Sequence, residues 1–313
     1  MEARRPKFAL WATVNITGYC NLKCSYCFFQ PRLNKHMPFQ DFKMVVDALK
    51  KQNVFFLTIS GGEPFLHPQF GEIIKYAHKI FDHVSVLSNG TSVQNKHYKG
   101  IQEIIRNKGA FQLQVSIDSI ESEINDTTRG KTNKVLKNLE ELKDAGATIT
   151  VAIVLTSKNI NEVVNTILAL KHITRHFHVM PFKPVPFLDG NDNYLQPTTD
   201  EMKVIWSDLE KLRGQNDLLI KIPADGCKSK SYTATGAPCA AGFTQLVIDP
   251  NLDVRACSKC VHAVVGNLKN EDFKSIWNGP KLAHIYKRSI PYCEVASEWK
   301  AKSLELNFET VSQ

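Results

Sequence analysis

Between Leu10 and about Met180 the chain alternates six times between a short run rich in β-branched and aromatic residues and a longer amphipathic segment. This alternation constrains the fold most, because strands joined through helical crossovers run parallel. Strands are predicted at Ala12–Thr17, Val54–Ser60, His83–Ser88, Phe111–Ile117, Ala147–Leu155 and Phe177–Pro181. Helices are predicted between them at Phe42–Lys50, Gln69–Ile80, Gly100–Lys108, Lys134–Ala145 and Ile160–Leu170, where apolar residues recur every three or four positions. Gly109 and Gly146 stand where helix ends favour glycine. The expected class is α/β. Right-handed crossovers would curl six such units into an open sheet or partial barrel, with chemistry gathered at the carboxyl ends of the strands.

After Met180 the composition shifts to PFKPVPFLDGNDNYLQP, rich in Pro, Asp, Asn and Gly, which reads as a surface connection. The expected division is a core over 1–185, a connecting segment and helix over 186–225, and a smaller unit over 226–313. Thr198 or Thr199 would cap a helix running to about Leu212. A hairpin is predicted from Gln245–Ile248 to Val254–Ala256 around the turn-forming residues Asp249 to Asp253.

Composition narrows the chemistry. With 43% hydrophobic and 22% charged residues the chain is neither disordered nor collagen-like. No stretch approaches the roughly 18 apolar residues of a membrane span, and the apolar run near the start is too short for a secretory signal. A cytoplasmic protein with no membrane partner is therefore expected. The net charge of +8 comes from scattered Lys and Arg, which read as a solvated surface, and a nucleic-acid partner is not expected.

In a reducing compartment the eight cysteines read as metal ligands or reactive thiols. Cys20, Cys24 and Cys27 form CxxxCxxC in the loop after the first strand, and five more follow at Cys227, Cys239, Cys257, Cys260 and Cys293. Three clustered thiolates without a nearby fourth would leave one iron of a four-iron cube open to a substrate or cofactor. Structural zinc, completed by His36 or a distant cysteine, is the alternative.

Three further motifs follow predicted strands. Gly61-Gly62-Glu63-Pro64 pairs glycines that let backbone approach a ligand with a carboxylate able to accept from an ammonium group. Ser88-Asn89-Gly90-Thr91 and Ser116-Ile117-Asp118-Ser119 offer short polar groups suited to ribose hydroxyls or a carboxylate, and Arg129 can pair with a carboxylate.

In this order and spacing, the CxxxCxxC loop, GGEP, SNGT and SIDS resemble the radical S-adenosylmethionine (SAM) enzymes over roughly residues 8–185. The resemblance implies a partial (β/α)6 barrel and a [4Fe-4S] cluster on Cys20, Cys24 and Cys27 whose open iron chelates the amine and carboxylate of S-adenosylmethionine. It implies reductive cleavage to methionine and a 5′-deoxyadenosyl radical that abstracts a hydrogen atom from substrate. Carried over, Tyr26 is the aromatic of the loop, and Gly61, Gly62 and Glu63 form the methionine-amine site. Ser88, Asn89, Ser116, Asp118 and Arg129 would contact ribose and carboxylate.

The C-terminal part is similar to the SPASM or shorter Twitch extension of such enzymes, with Leu252 where a glycine is usual in the hairpin and Ala296 where the closing CxxC would end. That resemblance implies an auxiliary [4Fe-4S] cluster on Cys239, Cys257 and Cys293, with Cys260 or Cys227 as fourth ligand; structural zinc stays open. If Cys260 completes the site, Cys227 is left as a candidate hydrogen-atom donor. The expected substrate is a ribosomally made peptide, changed by epimerisation or cross-linking, or else a small molecule such as an aminoglycoside sugar. An electron donor such as flavodoxin or ferredoxin is implied. A zinc-binding adaptor associated with RNA is the reading from a different class.

Overall fold

The structure, a computed structural model, describes residues 6–29, 33–93, 101–104, 111–182, 192–215, 217–222, 241–258 and 264–283. Six parallel strands form in the predicted places: β1 (Trp11–Thr17), β2 (Phe56–Gly61), β3 (His83–Ser88), β4 (Phe111–Ser116), β5 (Ile149–Leu155) and β6 (His176–Pro181). Between them run α1 (Phe39–Lys51), α2 (Phe70–Ile80), α3 (Ser122–Thr128), α4 (Thr132–Asp144) and α5 (Val163–Leu170). Residues 101–104 are helical, and the rest of the helix expected at Gly100–Lys108, with Gly109, lies outside the described residues.

Each helix buries one stripe. Phe42, Val45, Val46 and Leu49 of α1 and Phe70, Ile73, Ile74 and Ala77 of α2 are fully buried, each large side chain contributing about 1.5–3 kcal/mol. They pack on the residues of the strands that face outward, such as Val84 and Val86, while the alternate residues His83, Ser85 and Leu87 face the other side. Gly146 ends α4 with φ +77°, the left-handed conformation expected of glycine there. Helix α3 was not predicted, because SEINDTT carries too few apolar residues to show a helical stripe.

The sheet runs past the boundary expected at residue 185. A helix, α6 (Thr199–Gln215), returns the chain to β7 (Leu219–Lys221), which pairs parallel to β6. At the opposite edge β8 (Gln245–Ile248) pairs parallel to β1, with Trp11 opposite Gln245 and Val14 opposite Ile248. The predicted hairpin to β9 (Asp253–Arg255) and then β10 (Val264–Asn267) extends that edge antiparallel, and α7 (Phe273–Asn278) follows. The order is β10-β9-β8-β1-β2-β3-β4-β5-β6-β7. Among the described residues the first and last strands of this order do not pair, so the barrel is partial, and the loops after β1 to β4 lie at one end of it. Among the described residues no helix is long and apolar enough to cross a membrane.

Candidate active site

The thiol loop leaves β1 at Gly18. A Cβ there would lie 1.6 Å from the carbonyl oxygen of Leu33, so only glycine lets the return of the loop pack this closely. The loop is tied back by Gly18 N–H donating to Lys35 O (2.9 Å) and by a bridge between Thr17 and His36. Cys20, Cys24 and Cys27 are half-buried on it. Two N–H groups point at the Cys20 sulfur, the Leu22 amide at 3.5 Å and Asn89 Nδ2 at 3.7 Å, the kind of donor that stabilises a thiolate. Burial pushes the Cys24 thiol up, Arg129 opposes the rise, and the neighbouring Cys27 and Cys20 add to it.

The paired glycines permit a close backbone approach. A Cβ on Gly61 would stand 2.2 Å from Thr17 O and one on Gly62 2.1 Å from Tyr19 O. They let the loop after β2 lie directly on the thiol loop, fastened by Gly62 N–H to Thr17 O (2.7 Å) and Glu63 N–H to Tyr19 O (2.8 Å). Glu63 itself points inward. It is 0% exposed; its Oε1 accepts from Phe65 N–H (3.1 Å) and Ser88 Oγ (2.9 Å), and its Oε2 from Asn89 N–H (2.7 Å). Burial raises its pKa to about 7 against those three bonds. In this conformation the carboxylate secures the loop after β3.

That loop reaches back to the thiols. Asn89 Nδ2 donates to Asn21 Oδ1 (2.9 Å), Asn21 Nδ2 donates to Thr91 Oγ1 (2.8 Å), and Asn89 Oδ1 accepts from Thr91 N–H (2.9 Å). Ser88 Oγ accepts from Gly90 N–H (3.0 Å) besides donating to Glu63, and so holds the turn.

On the other side, Asp118 is 1% exposed and fully engaged. Its Oδ2 accepts from Tyr26 Oη and Thr128 Oγ1 (3.0 Å), its Oδ1 from Val154 N–H (3.1 Å), and Arg129 Nε lies 3.1 Å from Oδ1. The guanidinium of Arg129 also sits 5.3 Å from the Tyr26 ring centre. Burial opposes the charge of Arg129, but Asp118, Tyr26 and Cys24 outweigh it and hold the cation firmly protonated. Asp118 thus holds Tyr26 and Arg129 in place from within the chain. Ser116, at the end of β4, remains partly exposed.

Sequence reasoning missed Asn21, Thr128, Asn125 and Asn159. Thr128 O accepts from Ser25 N–H of the thiol loop (2.9 Å), Asn125 Oδ1 accepts from Asp118 N–H (2.9 Å), and Asn159 Nδ2 donates to Asp118 O (2.9 Å). Single polar residues between periodic segments carry no signal of their own. Among the described residues no three His, Cys, Asp or Glu side chains converge as one metal ion requires. A cubane takes its thiolates at separate corners, so three thiols on one loop with N–H groups directed at sulfur fit such a cluster by their donor chemistry.

Compared with known proteins, residues 14–170 match the sequence profile of the radical SAM superfamily. The chain belongs to the radical SAM superfamily. Residues 239–297 match an iron-sulfur cluster-binding domain, SPASM. The chain is 28% identical over 291 residues to the antilisterial bacteriocin subtilosin biosynthesis protein AlbA of Bacillus subtilis, covering 90% of this chain and 62% of AlbA. It is 25% identical to the mycofactocin maturase MftC of Mycolicibacterium smegmatis, covering 86% of this chain and 70% of MftC. The chain thus spans less than two thirds of the length of AlbA. The Streptococcus suis protein SuiB, in a crystal structure with its precursor peptide SuiA, shares the fold with a TM-score of 0.73 at 16% identity, covering 90% of this chain and 67% of SuiB.

A radical SAM protein with a SPASM region uses S-adenosylmethionine and [4Fe-4S] clusters. Of the thiols expected at the auxiliary centre, Cys257 is described, half-buried just after β9, whereas Cys227, Cys239, Cys260 and Cys293 lie outside the described residues. The hairpin explains the substitution noted at Leu252: its φ is +71°, the left-handed conformation that glycine would otherwise supply, and its side chain is buried.

Proposed function

We propose that this radical SAM protein modifies a ribosomally made peptide, by epimerisation or cross-linking, with Cys20, Cys24 and Cys27 holding the cluster that binds S-adenosylmethionine. The observation that carries the reading is the joining of the thiol loop to GGEP, SNGT and SIDS through Tyr19 O, Asn89 and Tyr26, which builds one continuous floor at the strand ends. When bound and reduced, the cluster and S-adenosylmethionine supply a 5′-deoxyadenosyl radical.

The chain's own part is to bind, orient and shield. Gly61 and Gly62 bring partly exposed backbone beside the thiol loop, where carbonyl groups suit the methionine ammonium. Tyr26, fixed by Asp118 and Arg129, presents a rigid ring beside the cofactor, and Arg129 supplies a permanent cation for its carboxylate. Asn89 and Ser116 stand at adjoining strand ends for the ribose. The inner wall carries amide and hydroxyl groups, with Gln112 Nε2 donating to Thr150 Oγ1 (2.6 Å) and Gln114 Oε1 3.5 Å from His178 Nδ1, a surface suited to the backbone of an extended peptide. Similarity to AlbA, named for bacteriocin biosynthesis, and to MftC, named a maturase, supports a peptide over a small sugar. Cys239, Cys257, Cys293 and Cys260 are assigned to the auxiliary cluster, leaving Cys227 to return a hydrogen atom, and flavodoxin or ferredoxin in the cytoplasm to supply electrons.

The test is anaerobic reconstitution with iron, sulfide, reductant and S-adenosylmethionine. The parent is expected to release 5′-deoxyadenosine and Cys24→Ala to release none. With a candidate precursor peptide in deuterated water, uptake of one deuteron marks epimerisation and loss of two hydrogens marks cross-linking; absence of 5′-deoxyadenosine from the reconstituted parent would refute the proposal.

A further inference from the structure

Arg255 is among the largest fully buried side chains, 1% exposed, and nothing in the S-adenosylmethionine site uses it. It sits on β9, opposite Val247 of β8 and Val264 of β10. A guanidinium at such a position is costly to desolvate, and its donors must be matched by well-placed acceptors. The match is Asp249, to whose Oδ1 Nη2 donates at 2.8 Å, while Nε lies 2.6 Å from Oδ2 as an ion-pair contact without hydrogen-bond geometry. Its remaining nitrogen, Nη1, donates to Ser258 O at 3.2 Å and lies 3.5 Å from Cys257 O. Asp249 is held from the other side, since Asn15 Nδ2 of β1 donates to its Oδ1 at 2.8 Å. One buried chain of contacts therefore runs from β1, five residues before Cys20, through Asn15, Asp249 and Arg255 to the backbone on which Cys257 sits.

We propose that Arg255 is a positioning residue for the auxiliary cluster: its guanidinium fixes the Cys257–Ser258 backbone against β1 and so sets the placement of the Cys257 thiolate relative to the Cys20 loop. The proposal rests on the reading of Cys257 as an auxiliary-cluster ligand. The shape of the side chain matters as much as its charge. A planar guanidinium donates to Asp249 through Nη2 and, from the far side of the fork, to the carbonyls of Cys257 and Ser258 through Nη1, which the single ammonium of lysine cannot do in the same geometry.

The experiment separates the two centres within the full-length chain. In a Cys20→Ala, Cys24→Ala, Cys27→Ala background only the auxiliary cluster can assemble, and in a Cys257→Ala background only the first is fully liganded. Arg255→Met would strand Asp249 in the interior and endanger the fold, so Arg255→Lys, which keeps the charge, is added to each background. Iron retention against a chelator and the electron paramagnetic resonance spectrum of the reduced cluster are then read. Expected is auxiliary iron lost about tenfold faster with an altered spectrum, as outer-shell partners of ligands typically weigh, while the first cluster is retained unchanged. Auxiliary iron retained equally with an identical spectrum would overturn the role of Arg255 alone. Equal loss of both clusters would reduce Arg255 to a general structural part and overturn it as well. A triple-alanine parent that binds no iron would instead remove the auxiliary-cluster reading, and the proposal with it.

Discussion

Single residues in this site act mostly on one another. Glu63 illustrates the consequence: its pKa of about 7 in the folded chain stands above the ordinary 4.5, because burial disfavours the charge more than Asn89, Phe65 and Ser88 favour it. Between those two values the folded state holds a proton that the unfolded state has released. The stability Glu63 contributes is therefore complete below about pH 4.5 and is lost as pH rises to about 7, a change on the order of 3 kcal/mol. Urea unfolding of the parent and Glu63→Gln at pH 5 and pH 8 measures it. The parent is expected to weaken over that interval relative to the variant, and parallel behaviour of the two would contradict the assignment. The sequence made GGEP, SNGT and SIDS legible as motifs. It did not show that Glu63, Ser88 and Asp118 face inward, because the same residue types serve a ligand or a loop, and only the packing around them decides which.

At the level of elements, strands and helices were readable because burial imposes a period of two on one and of 3.6 on the other. The hairpin was readable too, from Asp249, Pro250, Asn251, Leu252 and Asp253, though not the reason a leucine occupies its left-handed position. Leu252 N–H donates to Asp249 O (2.8 Å), Leu268 N–H donates to Leu252 O (3.0 Å), and the side chain is 1% exposed. The backbone conformation costs about 1–2 kcal/mol for a non-glycine residue, whereas burying a leucine returns about 1.5–3 and avoids a cavity. Leu252→Gly is accordingly expected to destabilise by about 1–2 kcal/mol despite relieving the backbone. The midpoint of chemical denaturation tests this, and a more stable variant would show that strain outweighs packing. Helix α3 escaped prediction for the opposite reason. Its seven residues are held by Asn125 and Thr128 bonding to the SIDS loop rather than by an apolar stripe.

Across the whole molecule, the C-terminal part completes the sheet as well as carrying a cysteine. Strand β8 covers the edge of β1 over Trp11–Val14, burying Leu246, Val247 and Ile248. A chain truncated after Ile222 would leave that edge, next to the thiol loop, unpaired and apolar, a template for pairing with another copy. Such a fragment is expected to self-associate in size-exclusion chromatography where the full chain does not, and a monodisperse monomer would show that β8 is dispensable. Periodicity along the chain determined the six parallel units, since burial on one face of each element writes itself into local spacing. Cysteine spacing and strand-end motifs determined the family, since thiolates that share a cluster must lie close on one loop. Tertiary structure alone decided that Glu63 and Asp118 serve the loops, that Gly61 and Gly62 seat one loop on another, and that Asn15 meets Asp249 and Arg255. Those meetings join residues up to 234 positions apart, and local sequence records what each residue can bond to, not which distant partner the folded sheet will bring to it.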